Sequence, residues 1–241
     1  RLRVNVGSRL VPIGDVNLAD LSVPLNVPFP LEPVAPNDPA AIIFTTGSTG
    51  VPKGVLYEHA MFEAQVRLLR ELFGVEPGEV EMPAFPLFAL FNVALGCTSA
   101  IPPIDPVRPA ACDPAAVVRF IQDQQVTSTF GSPAIWRNVT GYCLERGITL
   151  PTLRRVLMAG APVPAELHER FRRILAPGAD THTPYGATEA LPVASISGAE
   201  VLAANAERER EMGAAAPTAG TCVGRPVPGV TLRIIPISDR P

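Results

Sequence analysis

The chain has no lysine- or arginine-rich run, no Cys-x-x-Cys pair and no histidines at metal-ligand spacing, and each absence removes a class of function. With a formal net charge of −3 and only three histidines, no basic face is available for a nucleic acid partner. Cys97, Cys112, Cys143 and Cys222 are scattered, so they read as buried, reduced thiols, which favours the cytoplasm. No apolar stretch approaches the roughly 20 residues of a membrane span. The first residues show no charged segment leading into an apolar core of the secretory type. Internal repeats are also lacking.

What is present suits an ordinary globular body: 241 residues, 47% hydrophobic and 18% charged, enough for a substantial core. The chain opens on Arg-Leu-Arg-Val-Asn-Val and stops just after an expected strand, Val230 to Ile237, and so reads as a fragment. Its 28 prolines are spread along it, and the run from Pro24 to Pro39 reads as a surface connection. The expected organisation is an early segment with its proline-rich connection over 1–39 and the body of a domain over 40–241.

The densest signal is Thr45-Thr46-Gly47-Ser48-Thr49-Gly50-Val51-Pro52-Lys53-Gly54. Hydroxyls, glycines and a lysine directly behind the apolar Ala40 to Phe44 suggest a loop leaving a short buried strand with its N–H groups and hydroxyls aimed at phosphate. Pro52 fixes the backbone before Lys53, whose long stem carries a positive charge. A Walker loop needs glycine and lysine adjacent and a hydroxyl next; here Val51 and Pro52 separate Gly50 from Lys53, and Gly54 follows. That spacing excludes the P-loop NTPase pattern, leaving a different phosphate loop or a flexible connector.

Beyond it, Met61, Phe62, Val66, Leu69 and Phe73 mark an amphipathic helix over His59 to Phe73. Asp113 and Pro114 read as N-cap and first residue of a helix to about Gln124. Val126 to Phe130 is the next expected strand, Ser132-Pro133 opens a helix that buries Trp136, and Leu153 to Ala159 is a strand. A helix over Pro164 to Leu175 and a short strand over Ala179 to Thr183 follow. The alternation predicts a layered α/β fold with a largely parallel sheet, whose ligand sites lie in loops beyond the strand ends.

Two further loops occupy such places. Ala159-Gly160-Ala161-Pro162 offers small residues that let a flat ring approach, and reads equally well as a plain strand-to-helix turn. Thr183-Pro184-Tyr185-Gly186-Ala187-Thr188-Glu189 combines a stacking ring, a hydroxyl and a carboxylate suited to a hard cation such as Mg²⁺. The segment after it, 198–220, reads as a charged surface helix and an Ala/Pro/Gly connector.

These three loops, in this order, resemble the signatures of the adenylate-forming superfamily of acyl-CoA synthetases, luciferases and peptide-synthetase adenylation domains. The resemblance runs from about Asp38 to Ile237, and the Val223-Gly224-Arg225-Pro226 turn agrees with it. It implies the large N-terminal domain of that fold, present in part, and a carboxylate that attacks ATP to give an acyl-adenylate and pyrophosphate. It also implies that Thr45, Thr46, Gly47, Ser48, Thr49, Gly50 and Lys53 cradle phosphates. Gly160, Ala161, Pro162, Tyr185 and Gly186 would enclose adenine, and Thr188 and Glu189 would serve the α-phosphate and Mg²⁺. The expected catalytic residues are Lys53, Thr188 and Glu189.

Two departures refine this. The family's ribose-binding aspartate and its mobile domain with a catalytic lysine are expected beyond Pro241, so this stretch alone should be inactive. Within Phe85-Pro86-Leu87-Phe88-Ala89-Leu90-Phe91-Asn92, many acyl-CoA synthetases and luciferases carry histidine where Ala89 stands. The resemblance then places Phe88, Ala89 and Phe91, with Gly131, Ser132 and Pro133, around an apolar acyl pocket, although Phe88 and Phe91 also read as ordinary core. The same motif, with Asp105-Pro106-Val107-Arg108-Pro109 and Gly220-Thr221-Cys222-Val223-Gly224, resembles the branch containing the β-lactone synthetases of bacterial olefin biosynthesis. That branch implies a long-chain β-hydroxy acid as substrate, ATP and Mg²⁺ as requirements, CoA as compatible but not required, and room for a complex with other enzymes of the pathway. A fatty acyl-CoA ligase and a non-catalytic nucleotide-binding fragment are the other readings.

Overall fold

The computed structural model describes residues 4–5, 16–17, 31–45, 52–212 and 220–235. The chain divides into a unit over Arg1–Ala35 and a larger one over Pro36–Pro241. In the first, β1 (Val4–Asn5) and β2 (Val16–Asn17) pair in parallel.

The larger unit opens with β3 (Pro39–Thr45) and β4 (Lys53–Glu58), which pair antiparallel as a two-stranded sheet of their own. This corrects two expectations. The phosphate-loop segment connects two strands of a hairpin, and β3 is not a buried strand, since Ile42 is 62% and Phe44 69% exposed. β4 runs straight into α1 (His59–Phe73), which ends at Gly74.

The second sheet has seven strands: β5 (Val80–Pro83), β6 (Thr98–Ser99), β7 (Ser128–Gly131), β8 (Arg155–Met158), β9 (Asp180–Ala187), β10 (Ala190–Ser197) and β11 (Arg225–Pro226). Across the sheet the order is β11-β10-β9-β8-β7-β5-β6; β5 to β9 are mutually parallel, while β10 and β11 join antiparallel. The predicted parallel α/β sheet is therefore present, with an antiparallel edge that the sequence reading did not contain. The strand expected over Ala179 to Thr183 starts at Asp180, runs on to Ala187 and turns back as β10. Residues 230–235 form no strand, and 236–237 lie outside the described residues.

Alternation along the strands gives the sheet two different faces. Met82, Thr129, Val156 and Met158, all 0% exposed, face the main core with α3 (Pro114–Asp123), α4 (Pro133–Arg146) and α5 (Ala165–Ile174). Asp113 caps α3 as predicted, its Oδ1 accepting from Ala115 N at 3.0 Å. Trp136 on α4 is fully buried and meets Phe171 of α5 edge-on at 5.7 Å. The other face, with Glu81, Ser128, Phe130 and Leu157, looks toward α1 and α2 (Ala89–Leu95), which follows a 3-10 turn over Pro86–Phe88. Of the four free cysteines only Cys143 is buried; Cys97 and Cys112 are half-buried and Cys222 is exposed, so scattered spacing did not guarantee burial. No helix among the described residues is long and apolar enough to cross a membrane.

α6 (Gly198–Met212) is the predicted charged helix, and it packs beside α5 and β9. Under it, His168 of α5 is 2% exposed, with Nδ1 2.7 Å from Thr181 Oγ1 and Nε2 unpartnered among the described residues. Burial lowers its pKa from 6.5 to about 4, His182 acts in the same sense, and the Asp180 carboxylate opposes both. Below pH 6.5 the unfolded chain takes a proton that folded His168 refuses until about pH 4. Its contribution to stability is therefore intact above pH 6.5 and lost as pH falls toward 4. His168→Asn, which keeps a polar atom near Thr181, should flatten that dependence. The check is the wild-type minus mutant difference in urea midpoint, which should shrink steadily between pH 6.5 and 4.

Candidate active site

The hairpin brings the two ends of the phosphate-loop segment together, since Thr45 pairs in register with Lys53. Thr46, Gly47, Ser48, Thr49 and Gly50 lie outside the described residues. Lys53 itself is exposed at the start of β4. Four residues on, Tyr57 is 2% exposed and its hydroxyl donates to the Thr188 carbonyl. Nearly two turns into α1, the buried Gln65 donates from Nε2 to the Leu191 carbonyl at 3.0 Å. The strand carrying Lys53 and the turn carrying Thr188 and Glu189 are thus fastened together, although 135 positions separate Lys53 from Thr188 in the sequence.

The third motif is a hairpin, not a loop. Tyr185, Gly186 and Ala187 are strand residues of β9, and only Thr188 and Glu189 form the turn before β10. A Cβ at Gly186 would stand 2.7 Å from both Ala190 O and Leu191 Cβ, so the close approach of β10 requires glycine there whatever else it touches. Tyr185 is 51% exposed and Glu189 is exposed.

The second motif follows β8. Leu157 is level with His182 across the parallel pair, and Gly160 follows two residues after the end of β8. Gly160 has φ +89°, a conformation L side chains rarely adopt, and a Cβ there would meet no atom within 4 Å. Ala161 and Pro162 are exposed beside it. The backbone after β8 is thus open at Gly160, and the neighbouring strand β9 carries the half-exposed ring of Tyr185.

The six residues expected around an acyl pocket separate. Phe88 and Phe91 stack on each other, with ring centroids 5.9 Å apart, and Phe88 also stacks on Phe130 at 4.0 Å. Both line a cavity of about 70 Å³ between α1, α2 and the sheet, whose wall also includes Leu69, Leu157 and Leu191. Ala89 starts α2 without reaching that wall. Gly131, Ser132 and Pro133 lie at the end of β7 and the start of α4, away from the cavity lining. A Cβ at Gly131 would stand 2.9 Å from Trp136 Nε1 and 3.2 Å from Ala84 Cβ. Ser132 Oγ is buried without a partner among the described residues.

Sequence reasoning passed over the polar groups beside this cavity. Asn92 Nδ2 donates to Glu81 Oε2 and, at 2.9 Å, to Ser99 Oγ. Glu79 pairs with Arg155 at 3.0 Å. Burial works to raise the Glu79 pKa, but the Arg155 guanidinium and the Glu76 N–H outweigh it and leave the carboxyl below its ordinary value. Glu81 has no salt bridge among the described residues, and burial pushes its pKa up to about 8 against the pull of the Asn92 amide, the Arg155 charge and the Phe130 N–H, with the Glu79 charge adding to the rise. The visible signal was a glutamate between the apolar Val80 and Met82, and an asparagine closing an aromatic run.

The fold is a mixed α/β one, and the chain belongs to the AMP-binding enzyme family, whose profile matches residues 9–240. It is 50% identical over 204 residues to the olefin beta-lactone synthetase of Stenotrophomonas maltophilia, covering 85% of this chain and 35% of that protein. It is 30% identical over 201 residues to the long-chain-fatty-acid–CoA ligase of Thermus thermophilus, covering 82% of this chain and 36% of that one. Among solved structures, the AMPPNP-bound form of the nonribosomal peptide synthetase FmoA3 superposes with a TM-score of 0.70 at 25% identity, over 93% of this chain and 24% of that one. The chain spans about a third of the length of the curated relatives it matches. The fold is accordingly part of the N-terminal domain of an adenylate-forming enzyme, as the motifs implied.

Proposed function

We propose that the whole protein adenylates a long-chain β-hydroxy acid with ATP and converts the product to a β-lactone. The observation that carries this reading is the fastening of the Lys53 strand to the Thr188–Glu189 turn by Tyr57 and Gln65. It supports treating the phosphate-loop hairpin and the third motif as one nucleotide site. The 50% identity to an olefin beta-lactone synthetase supports the choice of substrate.

In this reading Thr45, Thr46, Gly47, Ser48, Thr49, Gly50 and Lys53 hold the β- and γ-phosphates. Gly160, Ala161, Pro162, Tyr185 and Gly186 flank adenine, and Thr188 donates to the α-phosphate. Glu189 would hold Mg²⁺, which when bound offsets phosphate charge. No cluster of three acidic, histidine or cysteine residues able to hold a metal occurs among the described residues, and a single carboxylate sharing the ion with phosphate oxygens suits Mg²⁺. The acid's carboxylate oxygen attacks the α-phosphorus, and the bond to pyrophosphate breaks. The substrate's own β-hydroxyl oxygen then attacks the activated carbonyl, AMP leaves, and the hydroxyl proton passes to solvent. Intramolecular attack requires the chain to be held in position, and Phe88 and Phe91 in the cavity wall are suited to that. The reading places the protein in the cytoplasm, able to associate with enzymes handling the same acyl chains.

The test is mass spectrometry of products from the full-length protein supplied with ATP, Mg²⁺ and a long-chain β-hydroxy acid, with and without CoA. A product lighter than the acid by one water, formed with AMP and without CoA, is expected. An acyl-CoA formed only when CoA is supplied would replace the lactone reading with that of a ligase, the activity named for the Thermus relative.

A further inference from the structure

The wall of the cavity between α1, α2 and the sheet is made of Phe88, Phe91, Phe130, Leu157 and Leu69, with the carboxyl of Glu81 set among them at 8% exposure. Asn92 uses both N–H bonds of its amide, one to Glu81 and one to Ser99, and the Phe130 N–H also donates to Glu81, so its donors are neutral, while the Glu79 carboxyl in the same lining adds a like charge. The charged and titratable groups facing it are otherwise engaged. Arg155 of β8 bonds Glu79 and the Gly74 carbonyl, and Arg70 of α1 donates to the Ala94 carbonyl at 3.1 Å. Cys97, between α2 and β6, donates to the Glu76 carbonyl, and His182 of β9 lies against Phe73. Ser128 of β7 and Ser99 of β6 contribute only hydroxyls. Among the described residues no cation forms a salt bridge with Glu81.

A carboxylate in such a wall needs water in the cavity to solvate it, and an alkyl chain filling the cavity expels that water. Chain occupancy and ionisation of Glu81 therefore oppose each other. We propose that Glu81 is a specificity-determining residue of this cavity, admitting an uncharged alkyl chain while its carboxyl is neutral and turning it away once the carboxyl ionises. The proposal rests on the reading that Phe88 and Phe91 border the acyl site. By reciprocity, a bound chain holds the proton on Glu81.

The experiment is calorimetric titration of the full-length protein with 1-decanol, which carries the chain but cannot be adenylated. With Glu81 titrating at about 8, the neutral fraction falls about tenfold between pH 7 and pH 9, and the Kd for decanol should rise about tenfold with it. Glu81→Gln keeps an acceptor for Asn92 and cannot ionise. It should bind decanol as wild type does at pH 7 and show no change at pH 9. At pH 8 the wild-type protein should take up about half a proton per decanol bound, read from the buffer dependence of the enthalpy, a check that needs no variant. Equal pH dependence in both proteins, no proton uptake by wild type, or no decanol binding by either would overturn the assignment. Decanoic-acid-dependent pyrophosphate release separates the two readings. Decanol binding as expected without such release removes adenylation and leaves the role of Glu81 standing. Release whose KM varies with pH equally in wild type and Glu81→Gln does the reverse.

Discussion

In the full-length protein, Lys53→Ala lowers acid-dependent pyrophosphate release by about 10²- to 10³-fold while leaving the melting temperature unchanged. Groups aimed at charge that develops on a transferring phosphoryl typically contribute on that scale. The stability half of the expectation follows from position: Lys53 is exposed at the first residue of β4, and no salt bridge ties it to the described residues. Deleting such a side chain costs within about 0.5 kcal/mol. Glu189→Ala should behave alike, since Glu189 is exposed in the two-residue turn between β9 and β10. Single-turnover measurement of pyrophosphate decides the matter. Wild-type rates in both variants would remove the phosphate and metal roles given to these residues and leave the fold untouched.

The opposite pattern is expected of Trp136→Ala, which should destabilise the fold by about 3 to 5 kcal/mol, the usual cost of emptying a large buried aromatic site. Trp136 is 0% exposed and packs edge-on against Phe171, with the end of β7 tight against its ring nitrogen. Its Nε1 has no hydrogen-bond partner among the described residues, so the loss is one of packing and not of a polar contact. Trp136→Phe, which retains most of the apolar volume, should cost much less. Urea denaturation of the three proteins provides the comparison; equal stability of Trp136→Ala and wild type would mean that the space closes over.

The contrast between Trp136 and the phosphate-loop strand shows what was legible in the sequence. Trp136 recurs with Ile135, Val139 and Cys143 at helical spacing, and burial followed directly from that period. Of the parallel strands, β7, β8 and the start of β9 were legible between helix signals, whereas β5 and β6 were not read from the sequence. Ala40 to Phe44 has the same apolar character, yet its strand is paired with β4 alone, and composition cannot show how many neighbours a strand acquires. The long β9–β10 hairpin was missed because Pro184, Gly186 and Pro192 look like strand breakers, whereas here the prolines stand within strands and Gly186 accommodates the close approach of the return strand. Motif order identified the family, since the order of the three segments along the chain needs neither regular intervals nor a correct reading of each as loop or strand. Of the acyl-pocket residues, Phe88 and Phe91 reach the cavity, but Gly131 to Pro133 lie near α4, a difference set by which face of β7 each residue meets. Glu81 and Asn92 carried no visible signal of partnership because their bond crosses from a strand to a helix.

The clamps from Tyr57 and Gln65 both grip main-chain oxygens, those of Thr188 and Leu191. Main-chain oxygens survive any substitution, so this junction tolerates changes of residue type in the turn far better than changes of chain length. One residue inserted between Lys53 and Tyr57 would turn Tyr57 to the opposite face of its strand and release the turn. The constraint at this junction is therefore a count of positions, four from lysine to tyrosine and eight from tyrosine to glutamine, more than any particular side chain in the turn.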